Sequence, residues 1–220
     1  MPKTRPFEEH TSQYEAWFEH NYFVYQSELL AVGQMLSAGG QGIEIGIGSG
    51  RFAAPFGICY GVEPSPKMIE LAIRKGLRVA QGVAEYLPVR NQQFDFVLMV
   101  TTICFLDDVR QALREVHRIL KPEGFIVIGF VDKESSIGRL YQKNRSKSVF
   151  YREATFYSVA ELTEYLIQTG FDDFEFRQTI FKGLDQIEGI ESVNEGFGEG
   201  SFVVIKAKKK PKDRDFEMCL

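Results

Sequence analysis

Cysteine is scarce: Cys59, Cys104 and Cys219 are the only three in 220 residues, far apart and without a CxxC pair. Neither a disulfide framework nor a clustered cysteine zinc site is indicated, and no metal is expected. A basic excess is lacking as well. The 26 basic and 30 acidic residues leave a formal charge of -4, which gives no reason to expect a polyanion as main partner. The local exception is a run of six basic residues within 206–214, read as a solvated tail because no aromatic side chains interleave with it as on a nucleic-acid surface. Long apolar runs are absent: the most apolar stretch, 94–106, contains Asp95 and falls short of the roughly 18 residues of a membrane span. The first residues carry Glu8, Glu9 and Glu15 with no apolar core, unlike a secretory leader. The expected setting is therefore cytoplasmic and reducing, with no membrane partner and no repeats.

What is present suffices for one core. The chain is 44% apolar, and its length suits a single domain. Tyr25, Leu29, Val32 and Leu36 share one side of a helix that Gly39 and Gly40 close. GIEIG then reads as a strand, followed by a glycine turn, a short helix near 51–56 and the strand CYGVE at 59–63. Ser65 before Pro66 opens a helix, since serine caps free amides and proline needs no partner in the first turn. Residues 78–81 and 94–100 read as strands, the second buried on both faces. Asp107 or Asp108 caps a helix carrying Val109, Ala112, Leu113, Val116 and Leu120, and Lys121, Pro122 and Gly124 stop it. After a strand at 125–131, Ser158 and Glu161 form a capping box for a helix through Thr169; strands at 171–181 and 201–208 follow. Strand and helix alternate over 41–131, so the expected class is α/β, an open parallel sheet under helices with a late antiparallel edge.

The stretch GIEIGIGSGRF places Gly46, Gly48 and Gly50 at every second position directly after a strand. In an open parallel sheet a ligand sits beyond the carboxyl ends of the strands, and glycines there let the backbone turn tightly and come close to it. The identity of that ligand follows from what surrounds the turn. No Lys-Ser or Lys-Thr follows, so a triphosphate loop lacks its phosphate lysine and magnesium hydroxyl. Arg51 stands where a dinucleotide fingerprint has its third glycine. Glu44, just before the turn, would repel a pyrophosphate but suits a ligand with an ammonium group. Glu63 ends the second strand, where a carboxylate can accept hydrogen bonds from both hydroxyls of a ribose.

Taken in order, EIGIGSG, VEPSPKM, QGVAEYLPVRNQQFDFVLMV and LREVHRILKPEGFIVI resemble the class I methyltransferases that use S-adenosylmethionine, in particular the branch with type 11-like enzymes acting on small molecules. The resemblance covers roughly 40–131, and the late helix and two strands resemble that family's ending. It implies a three-layer Rossmann-like methyltransferase fold, with a seven-stranded, mostly parallel sheet whose last strand is antiparallel. It also implies that Glu44 and the turn Gly46, Ile47, Gly48 and Gly50 hold the methionyl end of S-adenosylmethionine. Glu63 would take the ribose, with Pro64 and Met68 beside the adenosine. Val83, Ala84 and Glu85 would line the adenine, Val100 and Thr101 would lie under the cofactor, and Tyr14 would face its polar end. Two positions depart from the family: Val83 stands where an aspartate often accepts from the adenine amine, and Glu123 interrupts the common Pro-Gly-Gly turn. The single domain 1–220 then divides into a helical cover at 1–38, a cofactor-binding core at 39–131, a substrate-side insertion at 132–157, a helix and two strands at 158–208, and a polar tail at 209–220.

Methyl transfer from a sulfonium needs alignment and exclusion of water above all, and needs a base only if the acceptor must lose a proton. Such groups would come from outside the shared core. The aromatic N-terminal stretch, with Phe7, Tyr14, Trp17 and Phe18, reads as a roof over the cofactor together with 133–157. His10, His20 and Tyr14 are the candidates for catalysis, whereas His117 and Cys104 read as structural. Arg139, Arg145 and Arg152, with Tyr141 and Tyr151, could recognise an anionic acceptor. The expected partner is a small-molecule substrate rather than nucleic acid, on a monomer or weak homo-oligomer. Three competing readings are a nicotinamide-dependent oxidoreductase, disfavoured by Arg51 and Glu44, a non-catalytic S-adenosylmethionine-binding protein, and a methyltransferase acting on RNA or protein.

Overall fold

A computed structural model describes residues 3–36 and 39–211; Cys219 and the basic positions Lys212 and Arg214 lie outside them. Three helices lead the chain, α1 (Arg5–Glu9), α2 (Thr11–His20) and α3 (Tyr22–Met35). The core then alternates β1 (Gly42–Ile45), β2 (Tyr60–Glu63), α4 (Pro66–Arg74), β3 (Arg78–Gln81), β4 (Phe94–Val100), α5 (Val109–Ile119) and β5 (Leu120–Val131). The remainder is α6 (Ser136–Lys143), α7 (Val159–Gln168), β6 (Phe171–Thr179), β7 (Asn194–Glu195) and β8 (Phe202–Lys209). Their starts have local causes. Ser65 accepts from the Met68 amide at the head of α4, and Asp108, rather than Asp107, accepts from Gln111 at the head of α5. Ser158 and Glu161 form the reciprocal capping box of α7.

The strands form one sheet in the order β3-β2-β1-β4-β5-β8-β6-β7. β1 to β5 pair in parallel, while β8 runs antiparallel between β5 and β6. This is the expected mixed α/β sheet with eight strands instead of seven. The extra one, β7, is a two-residue edge within the loop after β6, too short to leave a pattern in the sequence. Side chains alternate across β4 with the period of a strand. Val97 and Met99 join Leu113, Val116, Leu162 and Leu166 on one face, and Leu98 and Val100 join Ala31, Val32 and Met35 on the other. Helices thus cover both faces, making three layers.

Four expectations change in detail. The helix near 51–56 is a turn ending in a short 3-10 segment, Ala54–Phe56, because Pro55 and Gly57 (φ 67°) leave no room for a full helix. The helix placed from Tyr25 starts earlier, at Tyr22. α5 passes directly into β5, with Leu120 already pairing with Phe94, and Glu123 takes the left-handed conformation (φ 62°). Half of the supposed basic tail is strand: Lys206 pairs with Glu175 at 3.2 Å, Lys208 with Asp173 at 2.6 Å, and Lys209 donates to the carbonyls of His117 and Leu120 at 2.7 Å. Alternating lysines on the outward face of an edge-proximal strand look like a charged tail when only composition is read.

Candidate active site

A cavity of about 1020 Å³ opens where β1, β2 and β4 end, and Gly46, Gly48, Glu63, Val100 and Thr101 form its floor. The glycine turn is held from within. Gly46 donates to Val62 O at 2.8 Å and Gly50 to Ile47 O at 2.9 Å, with φ of 70°, 55° and 80° at Gly46, Gly48 and Gly50. The three glycines serve different neighbours. A Cβ at Gly46 would overlap Thr102, one at Gly50 would overlap Leu77 after α4, and one at Gly48 would stand 3.3 Å from the Tyr14 hydroxyl and fill the cavity. Gly50 therefore permits helix packing, the task of the third dinucleotide glycine. Ile47 is likewise buried in the core and does not line the cavity.

Glu63 closes this half of the site. Its two carboxylate oxygens accept from Gly48 N at 2.9 Å and Ser65 N at 3.0 Å, tying the turn to the head of α4. Burial raises its pKa above the ordinary carboxylate value, the Ser65 and Gly48 amides oppose that rise, and Glu8 adds to it. Glu44 lies behind the cavity wall, 2% exposed, with Oε2 lacking a partner among the described residues. Burial holds its carboxyl well above the usual range, partly countered by the Ala53 amide. Pro64, Met68, Val83, Ala84 and Glu85 line the adjoining wall. Glu85 is already engaged, accepting from Asp107 N at 2.9 Å and Asp108 N at 3.3 Å. Thr101 has φ 50°, a conformation β-branched residues rarely adopt, and its amide donates to Gly129 O at 2.8 Å.

The N-terminal helices lie over this floor. Arg51 binds Glu15 at 2.7 Å and Glu19 at 3.0 Å on α2, and Glu15 also accepts from Ser49 within the glycine turn. At the other end, Glu8 accepts from the Ser65 hydroxyl. Phe7, Tyr14, Trp17 and Phe18 consequently line the cavity; Tyr14 meets Phe7, Phe18 and Phe150 edge-on. Burial drives the Tyr14 phenol far upward, with Glu63 and Glu15 adding to the shift.

The opposite wall comes from the 133–157 connection, where Tyr141 stacks on Tyr151 at 4.9 Å and Tyr151 on Phe105 at 6.0 Å. The sequence paired these tyrosines with arginines, but the structure separates them. Arg139, Arg145 and Arg152 are exposed and do not line the cavity, and Arg145 is spent on Arg152 O at 2.8 Å. His10 and His20 are also exposed and outside it; His20 Nδ1 is 2.7 Å from Ala16 O. His117 meets Phe171 edge-on, and burial pushes the Cys104 thiol up to about 12, so neither offers a reactive group to the cavity.

The sequence reading missed Glu28, which reaches the cavity from α3. A signal was present. Glu28 falls three residues after Tyr25 and four before Val32, on the apolar stripe of the helix, where a carboxylate has no reason to be unless something meets it.

Comparison with known proteins agrees with this architecture. Residues 43–128 match the methyltransferase domain family. A solved Thermotoga maritima protein, described as an S-adenosylmethionine-dependent methyltransferase and "possible histamine N-methyltransferase", is similar at 50% identity and TM-score 0.91, covering 94% of this chain and 99% of its own. An uncharacterised Methanocaldococcus jannaschii protein is 39% identical over 203 residues, 92% of this chain and 98% of that one. An uncharacterised Mycobacterium tuberculosis protein is 33% identical over 223 residues, 97% and 78% respectively.

Proposed function

The chain belongs to the class I S-adenosylmethionine-dependent methyltransferases, enzymes whose cofactor is S-adenosylmethionine, and from that premise we propose that it methylates a small molecule inside a mostly enclosed cavity. The observation that carries the proposal is the cavity itself. At about 1020 Å³ it reaches the upper end of ligand sites, which span roughly 300–1,000 Å³, so it has room for a nucleoside cofactor and a second small molecule together. Its two walls differ: backbone and Glu63 on one side, stacked aromatic rings on the other.

The cofactor fits the first side. Gly48 leaves a cradle that a side chain would fill, Gly46 lines it with bare backbone, and Glu44 stands behind them, outside the cavity lining, with Oε2 lacking a partner among the described residues. Glu63 would receive the ribose hydroxyls, with Pro64 and Met68 beside the nucleoside. The apolar backbone-lined wall at Val83 and Ala84 would take the base, and Val100 and Thr101 would support it from below. When bound, the cofactor supplies an electrophilic methyl group on a sulfonium. The chain's own contribution is to hold two reactants in line and keep water out, effects worth up to roughly 7–11 kcal/mol in favourable intramolecular models. The α1–α2 cover, latched by Glu8, Glu15 and Arg51, would do the excluding.

Among the described residues only Lys3 and Lys147 bring basic side chains to the cavity lining, and the overall charge is negative, which supports a small acceptor over RNA. Equilibrium binding of S-adenosylhomocysteine, followed by single-turnover methylation of a small-molecule library, tests the proposal. Turnover confined to protein or RNA would remove the small-molecule reading.

A further inference from the structure

One acidic side chain has no role in cofactor binding. Glu28 on α3 is 6% exposed, yet it stands on the cavity wall. Burial alone pushes its carboxyl up to about 8, with no donor opposing the shift. The field of Glu28 acts on the phenols of Tyr141 and Tyr151, which line the same cavity. Tyr151 lies between two further rings, tilted 25° to Tyr141 and 8° to Phe105, so a continuous aromatic surface accompanies the carboxyl.

A buried carboxylate without a partner is costly, and a partner missing from the chain itself can come from a ligand. Aromatic faces beside a carboxylate favour a cation. The cations on the wall do not fill the role: Lys3 is occupied by Leu106 O at 3.2 Å and Asp107 at 3.7 Å, and the Lys147 side chain belongs to an exposed residue.

We propose that Glu28, with Phe105, Tyr141 and Tyr151, forms the acceptor subsite, and that the acceptor is a small amine whose nitrogen is held against Glu28. The inference rests on the reading that the cofactor occupies the Glu63 side of the same cavity. The amine enters as an ammonium, and Glu28, protonated in the empty cavity, releases its own proton to solvent as the ammonium takes that place. One proton passes from its nitrogen to a Glu28 carboxylate oxygen, leaving a neutral amine with its lone pair and a neutral carboxyl, so charge and atoms balance. That lone pair is the nucleophile a methyl transfer requires. Glu28 thereby takes the part that His10 and His20, exposed and away from the cavity, are not placed to play.

Calorimetry on the protein saturated with S-adenosylhomocysteine tests the subsite, using benzylamine and 2-phenylethylamine as probes and their alcohol counterparts as controls. An amine should bind about tenfold or more tighter than its alcohol, as expected for a charge-assisted hydrogen bond. Glu28→Gln should erase that preference while leaving S-adenosylhomocysteine affinity unchanged, and Tyr151→Leu should weaken the amine through the lost ring. Glu28→Asp, which keeps the charge but retracts it, should fall between and serves if the glutamine variant does not fold. Equal binding of amine and alcohol, or a preference that survives Glu28→Gln, overturns the proposal. If S-adenosylhomocysteine binds and no probe does, the amine subsite fails while the cofactor reading stands. If S-adenosylhomocysteine itself does not bind, both fail.

Discussion

The two sides of the cavity are built on different principles. The floor at Gly46, Gly48 and Glu63 is mostly main chain fixed in place: the Glu63 carboxylate fastens the Gly48 and Ser65 amides, and the turn is pinned to the Val62 carbonyl. The far wall at Glu28, Phe105, Tyr141 and Tyr151 is side chains only, brought from α3, from the segment after β4 and from the 133–157 connection. A backbone site suits a ligand that is the same for every member of a family. A side-chain wall can be rebuilt without disturbing the sheet, and so suits the acceptor.

The sharpest way to break that contrast is through Glu28 and pH. Its folded carboxyl holds its proton to about pH 8, against an ordinary value of 4.5 when unfolded. The protein therefore has its full stability with respect to this group below about pH 4.5 and loses it as pH rises through about 8. Glu28→Gln should relieve that loss, by up to about 5 kcal/mol above pH 8 and by nearly nothing at pH 4.5. Thermal unfolding of both proteins across pH 4.5–9 reads the difference; a gap that does not widen with pH would show that Glu28 is hydrated or paired.

Next in size is the floor. Gly48→Val forces a β-branched residue to φ 55° and fills the cradle, so S-adenosylhomocysteine affinity should fall about a hundredfold or more. Unchanged affinity in a folded variant would move the cofactor elsewhere. Glu63→Ala should weaken the same ligand by roughly 1.5–3 kcal/mol, since a charged acceptor is lost. Some of that loss would come through the freed Gly48 and Ser65 amides, so circular dichroism and the melting temperature belong in the same experiment. The smallest effect concerns the latch. Arg51→Ala should change the stability by no more than about 1 kcal/mol, because a partly exposed ion pair is worth little. It should nonetheless speed hydrogen exchange in α1 and α2; equally slow exchange would mean that aromatic packing alone holds the cover.

The glycine turn, Glu63, the Ser65-Pro66 helix start and the Ser158 capping box were all legible because each is a local pattern with a local cause. The strand bounds of β4 were legible too, since its burial is nearly continuous along the chain. β7 was not, being only two residues paired across a loop. Arg139, Arg145 and Arg152 were misplaced for a related reason: charge identifies a residue that wants a partner, but not the side of a helix on which it emerges.

By itself the sequence determined the alternating α/β order, the cofactor class and the floor of the site, because those depend on short-range backbone geometry repeated at fixed spacing. Only the tertiary structure decided what Gly50 and Arg51 are for, packing against Leu77 and latching Glu15 respectively. It alone brought Glu28 opposite Tyr141 and Tyr151, residues more than a hundred positions away in the chain, since such a meeting depends on how the helices cover the sheet and leaves no local spacing to read.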